Sequence, residues 1–193
     1  MIVIGLTGGI GMGKTTAASE FRRRGLPVFD ADATVHALQA PGGAALPALA
    51  AAFPGTVRDG VLDRAQLRQA LTDRPALARL EAIMHPLVRR AERRFLARAH
   101  AARRRAVVLD IPLLLETGGD ARVDHVVVVS APAAVQRARI HRRGRMTEAQ
   151  INAVLARQMP DARRRRRADT VIHTGLSRFH AVAQLRRLLR TLR

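Results

Sequence analysis

The sequence predicts an α/β fold: a parallel sheet flanked by helices, carrying a helical insertion and a lid. Three observations predict it. Short β-branched runs alternate with helical stretches, and strands joined by helical crossovers pair in parallel. One block of about residues 31–105 has almost only helical spacing, more than a single crossover needs, and reads as an insertion. A second helical block, 142–167, is rich in arginine and lies between two strands, where a lid can sit.

The elements follow in chain order. Ile2 to Leu6 is a short apolar run bounded by glycine, a buried strand. From Lys14 the spacing turns helical to about Arg24, and Gly25 supplies a C-cap. "PVFDAD" (27–32) reads as a strand ending in two acids, with a helix expected from Ala33. "PGGAALPALAAAFPG" (41–55) is a helix between Pro-Gly breaks, and 62–105 is nearly all helical, broken at Pro75 and Pro86. "AVVLDIP" (106–112) and "DHVVVVSAP" (124–132) are strands, each expected to lead into a helix. Within 142–167, Thr147 and Gln150 have capping-box spacing. "DTVIHTG" (169–175) is a last strand before a terminal helix from about Ser177.

A chain of 193 residues that is 48% apolar can bury a real core as one unit. It has no cysteine, so disulfides, thiolate metal sites and cysteine nucleophiles are excluded. No run approaches the roughly 20 apolar residues of a membrane helix, and "MIVIGLTGG" lacks the basic start of a signal peptide. A soluble cytoplasmic protein is expected. The net charge of +19 invites a nucleic-acid partner. However, alanine and arginine are both inflated while stacking aromatics are nearly absent, so the charge reads as composition and no nucleic-acid partner is expected.

Lysine and arginine together number 34, and Lys14 is the only lysine, leaving 33 arginines. It sits in "GGIGMGKT", Gly8 to Thr15, which satisfies G-x-x-x-x-G-K-[ST] between a strand and a helix. Glycines let backbone N–H groups wrap a phosphate closely, and the helix N-terminus adds its own. A compact ammonium suits this tight loop, whereas the wide guanidinium fork does not. Thr15 can place a hydroxyl on Mg²⁺. The motif predicts a nucleoside triphosphate site over Gly8, Gly9, Ile10, Gly11, Met12, Gly13, Lys14, Thr15 and Thr16, with Mg²⁺ accompanying ATP.

Further stretches occur in a telling order: "FDAD" (29–32), "HPLVR" (85–89), "LDIPLLLETG" (109–118) and "ADTVI" ending at Ile172. With the phosphate loop they resemble the dephospho-CoA kinase family over nearly the whole chain. The resemblance implies a P-loop kinase fold with a nucleotide-binding core at about 1–30, 106–140 and 168–193. It also implies a CoA-binding helical region at about 31–105 and a lid at about 141–167. The implied reaction transfers the γ-phosphoryl of ATP to the ribose 3′-hydroxyl of dephospho-CoA, the last step of coenzyme A synthesis, with the enzyme a monomer or weak oligomer.

Roles implied by the resemblance follow residue by residue. Asp32 matches the catalytic aspartate beside the acceptor hydroxyl, while Asp30 and Asp32 also suit turn or N-cap positions. Asp110, ending its strand, acts on Mg²⁺ through water or else fixes the turn that follows. His85, Arg89, Leu113 and Glu116 are candidates for the acceptor side. Alternatively, His85 closes one helix before Pro86 opens the next, and Glu116 is an exposed helix-end acid. Arg143 matches the lid arginine that stabilises charge on the moving phosphoryl, with Arg139 as helper. Arg163 to Arg167 read as mostly solvated. The chain departs from the family at Thr174, where Asn is usual, and at Leu115, where Phe is usual. Rival readings are another small-molecule or nucleotide kinase with the same loop and, further off, a P-loop nucleic-acid-binding protein.

Overall fold

The computed structural model describes residues 1–144 and 146–191. Arg145, inside the stretch expected to form a lid, and residues 192 and 193 lie outside the described residues. The chain divides into two compact units, Met1–Phe29 with Ala99 onward, and Asp30–Arg98.

In the first unit, β1 (Ile2–Thr7) leads through the glycine loop into α1 (Lys14–Arg23). The end of α1 follows from its sequence. Gly25 takes φ 76°, and the Gly25 and Leu26 N–H groups donate to the Arg22 and Phe21 carbonyls, closing the helix. β2 (Val28–Asp30), β5 (Ala106–Asp110), β6 (His125–Ser130) and β7 (Thr170–His173) complete a five-stranded sheet of order β2-β5-β1-β6-β7. β1 pairs in parallel with β5 (Ile2 opposite Ala106, Leu6 opposite Asp110) and with β6, and β6 pairs in parallel with β7. The register brings the C-terminal ends of β1 and β5 level, with the glycine loop leaving one and Asp110 closing the other.

Both faces of this sheet are covered, which is why β6 reads as an unbroken apolar run rather than an alternation. Val127 and Val129 join Ile4, Leu6, Phe21 and Leu185 in one buried cluster. Val126 and Val128 face the other way, onto Leu114 and Leu115. Helices α6 (Ala133–Arg142), α7 (Glu148–Arg157), α8 (Asp161–Arg166) and α9 (Arg178–Thr191) supply the remaining covering elements. The capping box at α7 forms as expected: the Thr147 hydroxyl accepts the Gln150 N–H, and the Gln150 side chain accepts the Thr147 N–H.

One expectation fails here. β5 leads into no α-helix; residues 111–118 form successive turns, followed by a single 3-10 turn at Gly119–Arg122. Leu114 and Leu115 are both buried against Val126 and Val128, and the segment packs as a knot of turns.

The second unit is helical around its own core. It holds α2 (Ala31–Leu38), α3 (Leu46–Ala52), α4 (Arg64–Ala70) and most of α5 (Arg74–Ala101). Leu46, Leu49, Phe53, Leu67 and Met84 are buried together. The break expected at Pro75 is present, with Pro75 in the first turn of α5 and the Asp73 carboxylate accepting the Ala76 N–H. The break expected at Pro86 is absent; α5 runs through it for 28 residues. Proline there costs on the order of 3 kcal/mol. The carbonyl it leaves unbonded belongs to exposed Ala82, and Leu80, Ile83, Met84 and Leu87 hold the helix to the core on either side. A small hairpin, β3 (Val57–Arg58) and β4 (Val61–Leu62), was not expected. Its turn is Asp59-Gly60, both at positive φ, a sequence signal for such hairpins.

Candidate active site

The glycine loop is shaped by what surrounds it. Gly11 and Gly13 sit at φ 75° and 96°, where side-chain-bearing residues are strained. Gly8 has no such φ; a Cβ there would lie 2.3 Å from Val129 Cγ2 and 2.9 Å from the Val129 carbonyl on β6. Gly13 is the N-cap of α1, and no side chain caps that helix. The Thr16 N–H donates to the Gly13 carbonyl, and the positive dipole end of the helix faces the loop, where an anion would be favoured.

Lys14 opens α1, and its Nζ lies 2.6 Å from Asp110 Oδ1. Asp110 is buried and Lys14 largely so, which makes this charge-assisted bond a strong constraint on the ammonium before any phosphate arrives. Thr15 and Thr16 are exposed on the first turn of α1. No cluster of three or more His, Cys, Asp or Glu side chains able to hold a metal occurs among the described residues. The oxygen donors of Thr15 and Asp110 nonetheless fit Mg²⁺, which takes one or two protein oxygens and completes its shell from phosphates and water.

A cavity of about 260 Å³ opens beside the loop, lined by Gly11, Gly13, Thr16, Arg139, Arg143, Thr174 and Arg178, with Ala17, Ala181 and Leu185 as its apolar floor. Arg143, at the end of α6, is exposed and makes no ion pair among the described residues. Arg139 is committed to the scaffold: it donates to the Thr174 hydroxyl at 3.0 Å and to the Thr174 carbonyl. The Thr174 hydroxyl in turn donates to the Met12 carbonyl at 2.6 Å. The departure at Thr174 thus anchors the phosphate loop, a part that its sequence position did not reveal. The departure at Leu115 is a packing position, 2% exposed beside Leu114.

The remaining candidates on this unit lie in the turns after β5. Leu113 is 46% exposed, the outward member of the leucine triplet. Glu116 is no exposed helix-end acid. Its Oε1 accepts from Arg164 Nη2 at 3.1 Å and from the Met159 N–H at 3.3 Å. The arginine run is mostly solvated, as expected: four of the five are exposed, and the fifth, Arg164, is buried at 2%. Gln136 and Gln158 were missed; both bond the loop at Ile10. No local pattern marks a glutamine for such a contact.

On the second unit, Asp30 is the N-cap of α2, its carboxylate accepting the Ala33 N–H at 2.9 Å. Asp32 lies in the first turn of the same helix, exposed, and bonds no backbone group among the described residues. The cap explanation therefore accounts for Asp30 and leaves Asp32 over. His85 and Arg89 share one face of α5, a turn apart. His85 is exposed, and α5 runs on through it, so it does not close a helix. Arg89 Nη1 lies 3.7 Å from Glu92, whose carboxyl burial pushes above its ordinary value while Arg89 and Arg93 pull it back.

The glycine loop lies between β1 and α1, the context the motif requires, and comparison with known proteins decides among the kinases that share the loop. The family model described as dephospho-CoA kinase matches residues 2–177. The chain belongs to the dephospho-CoA kinase family. It is similar to the dephospho-CoA kinase of Gluconobacter oxydans, 57% identical over 198 residues, covering all of this chain and 98% of that one. Its fold is similar to that of TT1252 from Thermus thermophilus, at a TM-score of 0.85 and 35% identity, covering all of this chain and 98% of the other. The dephospho-CoA kinase of Campylobacter jejuni shares the fold at a TM-score of 0.67 and 19% identity, covering 98% and 96% of the two chains. Family membership accords with the α/β kinase architecture. No helix among the described residues is long and apolar enough to cross a membrane.

Proposed function

We propose that the chain transfers the γ-phosphoryl group of ATP to the ribose 3′-hydroxyl of dephospho-CoA, in the cytoplasm and as a monomer or weak oligomer. The observation that carries the chemistry is Lys14 held on Asp110 at 2.6 Å beside an uncapped helix start. The triphosphate binds in the loop against the N–H groups of Gly11 to Thr16, and Lys14 turns from Asp110 toward the β and γ phosphates. Thr15 and Asp110 would hold the Mg²⁺ that accompanies ATP and offsets phosphate charge. The base occupies the cavity beside Thr174 and Arg178.

Asp32 orients the 3′-hydroxyl and accepts its proton as the O3′–P bond forms and the bond from the γ phosphorus to the β–γ bridging oxygen breaks. An ordinary carboxylate suffices, because a loose transition state transfers that proton late. Arg143 steadies the charge on the moving phosphoryl from the lid segment, 141–167. His85, Arg89, Leu113 and Glu116 belong to the acceptor side.

The test is a coupled assay with ATP and Mg²⁺, comparing dephospho-CoA with adenosine, AMP and shikimate, for wild type and Asp32→Asn. Turnover with dephospho-CoA alone, lost by about 10²-fold or more in the variant while ATP still binds, is the expected result. Inert dephospho-CoA would overturn the assignment, and an active variant would overturn the role of Asp32.

A further inference from the structure

Three polar side chains from outside the phosphate loop converge on its backbone around Gly9 and Ile10. Gln158, the C-cap residue of α7, accepts the Ile10 N–H at 3.1 Å, and Gln136 of α6 donates to the Ile10 carbonyl at 2.8 Å. Both polar groups of Ile10 are thus held by side chains from later in the chain. Arg164 is the third. A Cβ built on Gly9 would meet Arg164 Nη1 and Gln158 Oε1, each at 3.1 Å. Gly9 has no left-handed φ, so glycine here serves to admit these groups.

Arg164 is 2% exposed, and its Nη2 donates to Glu116. Arg164 Nε and Glu116 Oε2 are both buried without a hydrogen-bond partner among the described residues. A buried ion pair with open polar atoms is a poor stabiliser compared with apolar side chains of the same size. Stability alone therefore does not account for this pair, whereas its orientation does: one amino group is anchored on Glu116, and the other is turned to the loop at Gly9.

We propose that Gln136, Gln158 and the Arg164–Glu116 pair form a bracket that sets the two peptides flanking Ile10, with Gln158 and Arg164 as positioning residues for the bound polyphosphate. A glycine-rich loop left to itself loses much backbone freedom when its N–H groups close on a phosphate chain. A bracket that orders the loop beforehand removes part of that cost, and it ties the loop to residues 158–164. The effect falls on ligands whose β and γ phosphates the loop and Lys14 must hold, and much less on a monophosphate. The proposal rests on the nucleotide site proposed above.

Calorimetric affinities for ATP, ADP and AMP, with steady-state kinetics, test it in wild type, Gln158→Leu, Arg164→Met and Arg164→Lys. Gln158→Leu and Arg164→Met are expected to weaken ATP on the order of tenfold through loss of orientation. AMP affinity should stay near wild type, as should KM for dephospho-CoA in Gln158→Leu, and Arg164→Lys, which keeps the charge but not the two-pronged fork, should recover little of the loss. Equal weakening of ATP and AMP, or a lower Tm with ATP affinity unchanged, would overturn the bracket. If Arg164→Met does not fold, the uncharged change at Gln158 decides alone. A wild-type chain that binds neither nucleotide would refute the nucleotide site and the bracket with it; a wild type that binds ATP, with variants of unchanged ATP-to-AMP ratio, refutes only the bracket.

Discussion

Replacing Thr174 by valine removes one hydroxyl and almost no volume, and the structure allows its effect to be sized. The hydroxyl gives its proton to the Met12 carbonyl at 2.6 Å and accepts from Arg139 Nη1 at 3.0 Å, while Thr174 is 7% exposed and Met12 3%. Leaving a buried carbonyl without its donor costs about 1–3 kcal/mol. The lost bond from Arg139 adds less than a buried charged bond would, because that guanidinium lines an open cavity and keeps its bond to the Thr174 carbonyl. A total of about 3 kcal/mol follows for Thr174→Val. Thr174→Ser keeps the hydroxyl and loses one methyl, about 1 kcal/mol. For a chain of this size each kcal/mol moves Tm by about 2–4 °C, so calorimetry should place valine about 6–12 °C below wild type and serine about 2–4 °C below. ATP affinity should fall with valine alone, since Met12 belongs to the phosphate loop. Valine no worse than serine would refute the anchoring role of the hydroxyl.

Other outcomes follow from the same coordinates. Gly8→Ala forces a Cβ to within 2.3 Å of Val129 on β6 and should cost about 1–3 kcal/mol, read as a lower urea midpoint; an unchanged midpoint would contradict the close approach. Lys14→Arg keeps the charge but puts a wide fork where an ammonium meets Asp110 at 2.6 Å. It should lower kcat/KM for ATP on the order of 10²-fold, and near-normal turnover would show that the loop does not demand lysine. Burial raises the Glu92 carboxyl above 4.5 in the folded state. Folding then favours the protonated form: the contribution is full below about pH 4.5 and is lost as pH rises through the folded value. Glu92→Gln, neutral throughout, should therefore gain stability relative to wild type between pH 4.5 and 7 in urea titrations, and a pH-independent difference would contradict this.

Much of the fold was legible wherever a local rule governs the outcome. The strands at β1, β5, β6 and β7 announce themselves as β-branched runs, Gly25 ends α1, and Thr147 with Gln150 starts α7, since periodicity and capping are short-range. Expectation failed where packing overrides a local signal. Pro86 stays within α5 because burial of Leu80, Met84 and Leu87 outweighs one missing backbone bond. Residues 111–118 form turns that bury Leu114 and Leu115 against Val126 and Val128 of a distant strand, contacts that no local pattern announces. The Asp59-Gly60 turn shows the opposite lapse, a local signal present and passed over.

The same division runs through the site. The spacing from Gly8 to Thr15, with the sole lysine at its end, determined by itself that a triphosphate loop is present, because glycine conformations and an ammonium at a helix start are properties of consecutive residues. Family motifs likewise set Asp32 and Asp110 apart from other acids. Only the tertiary structure decided that Arg164 is the buried member of five adjacent arginines, that Thr174 bonds Met12 across 162 residues, and that Gln158 reaches Ile10 across 148. Those contacts depend on where crossovers return the chain, and a side chain's partner at that range leaves no mark on its neighbours in sequence.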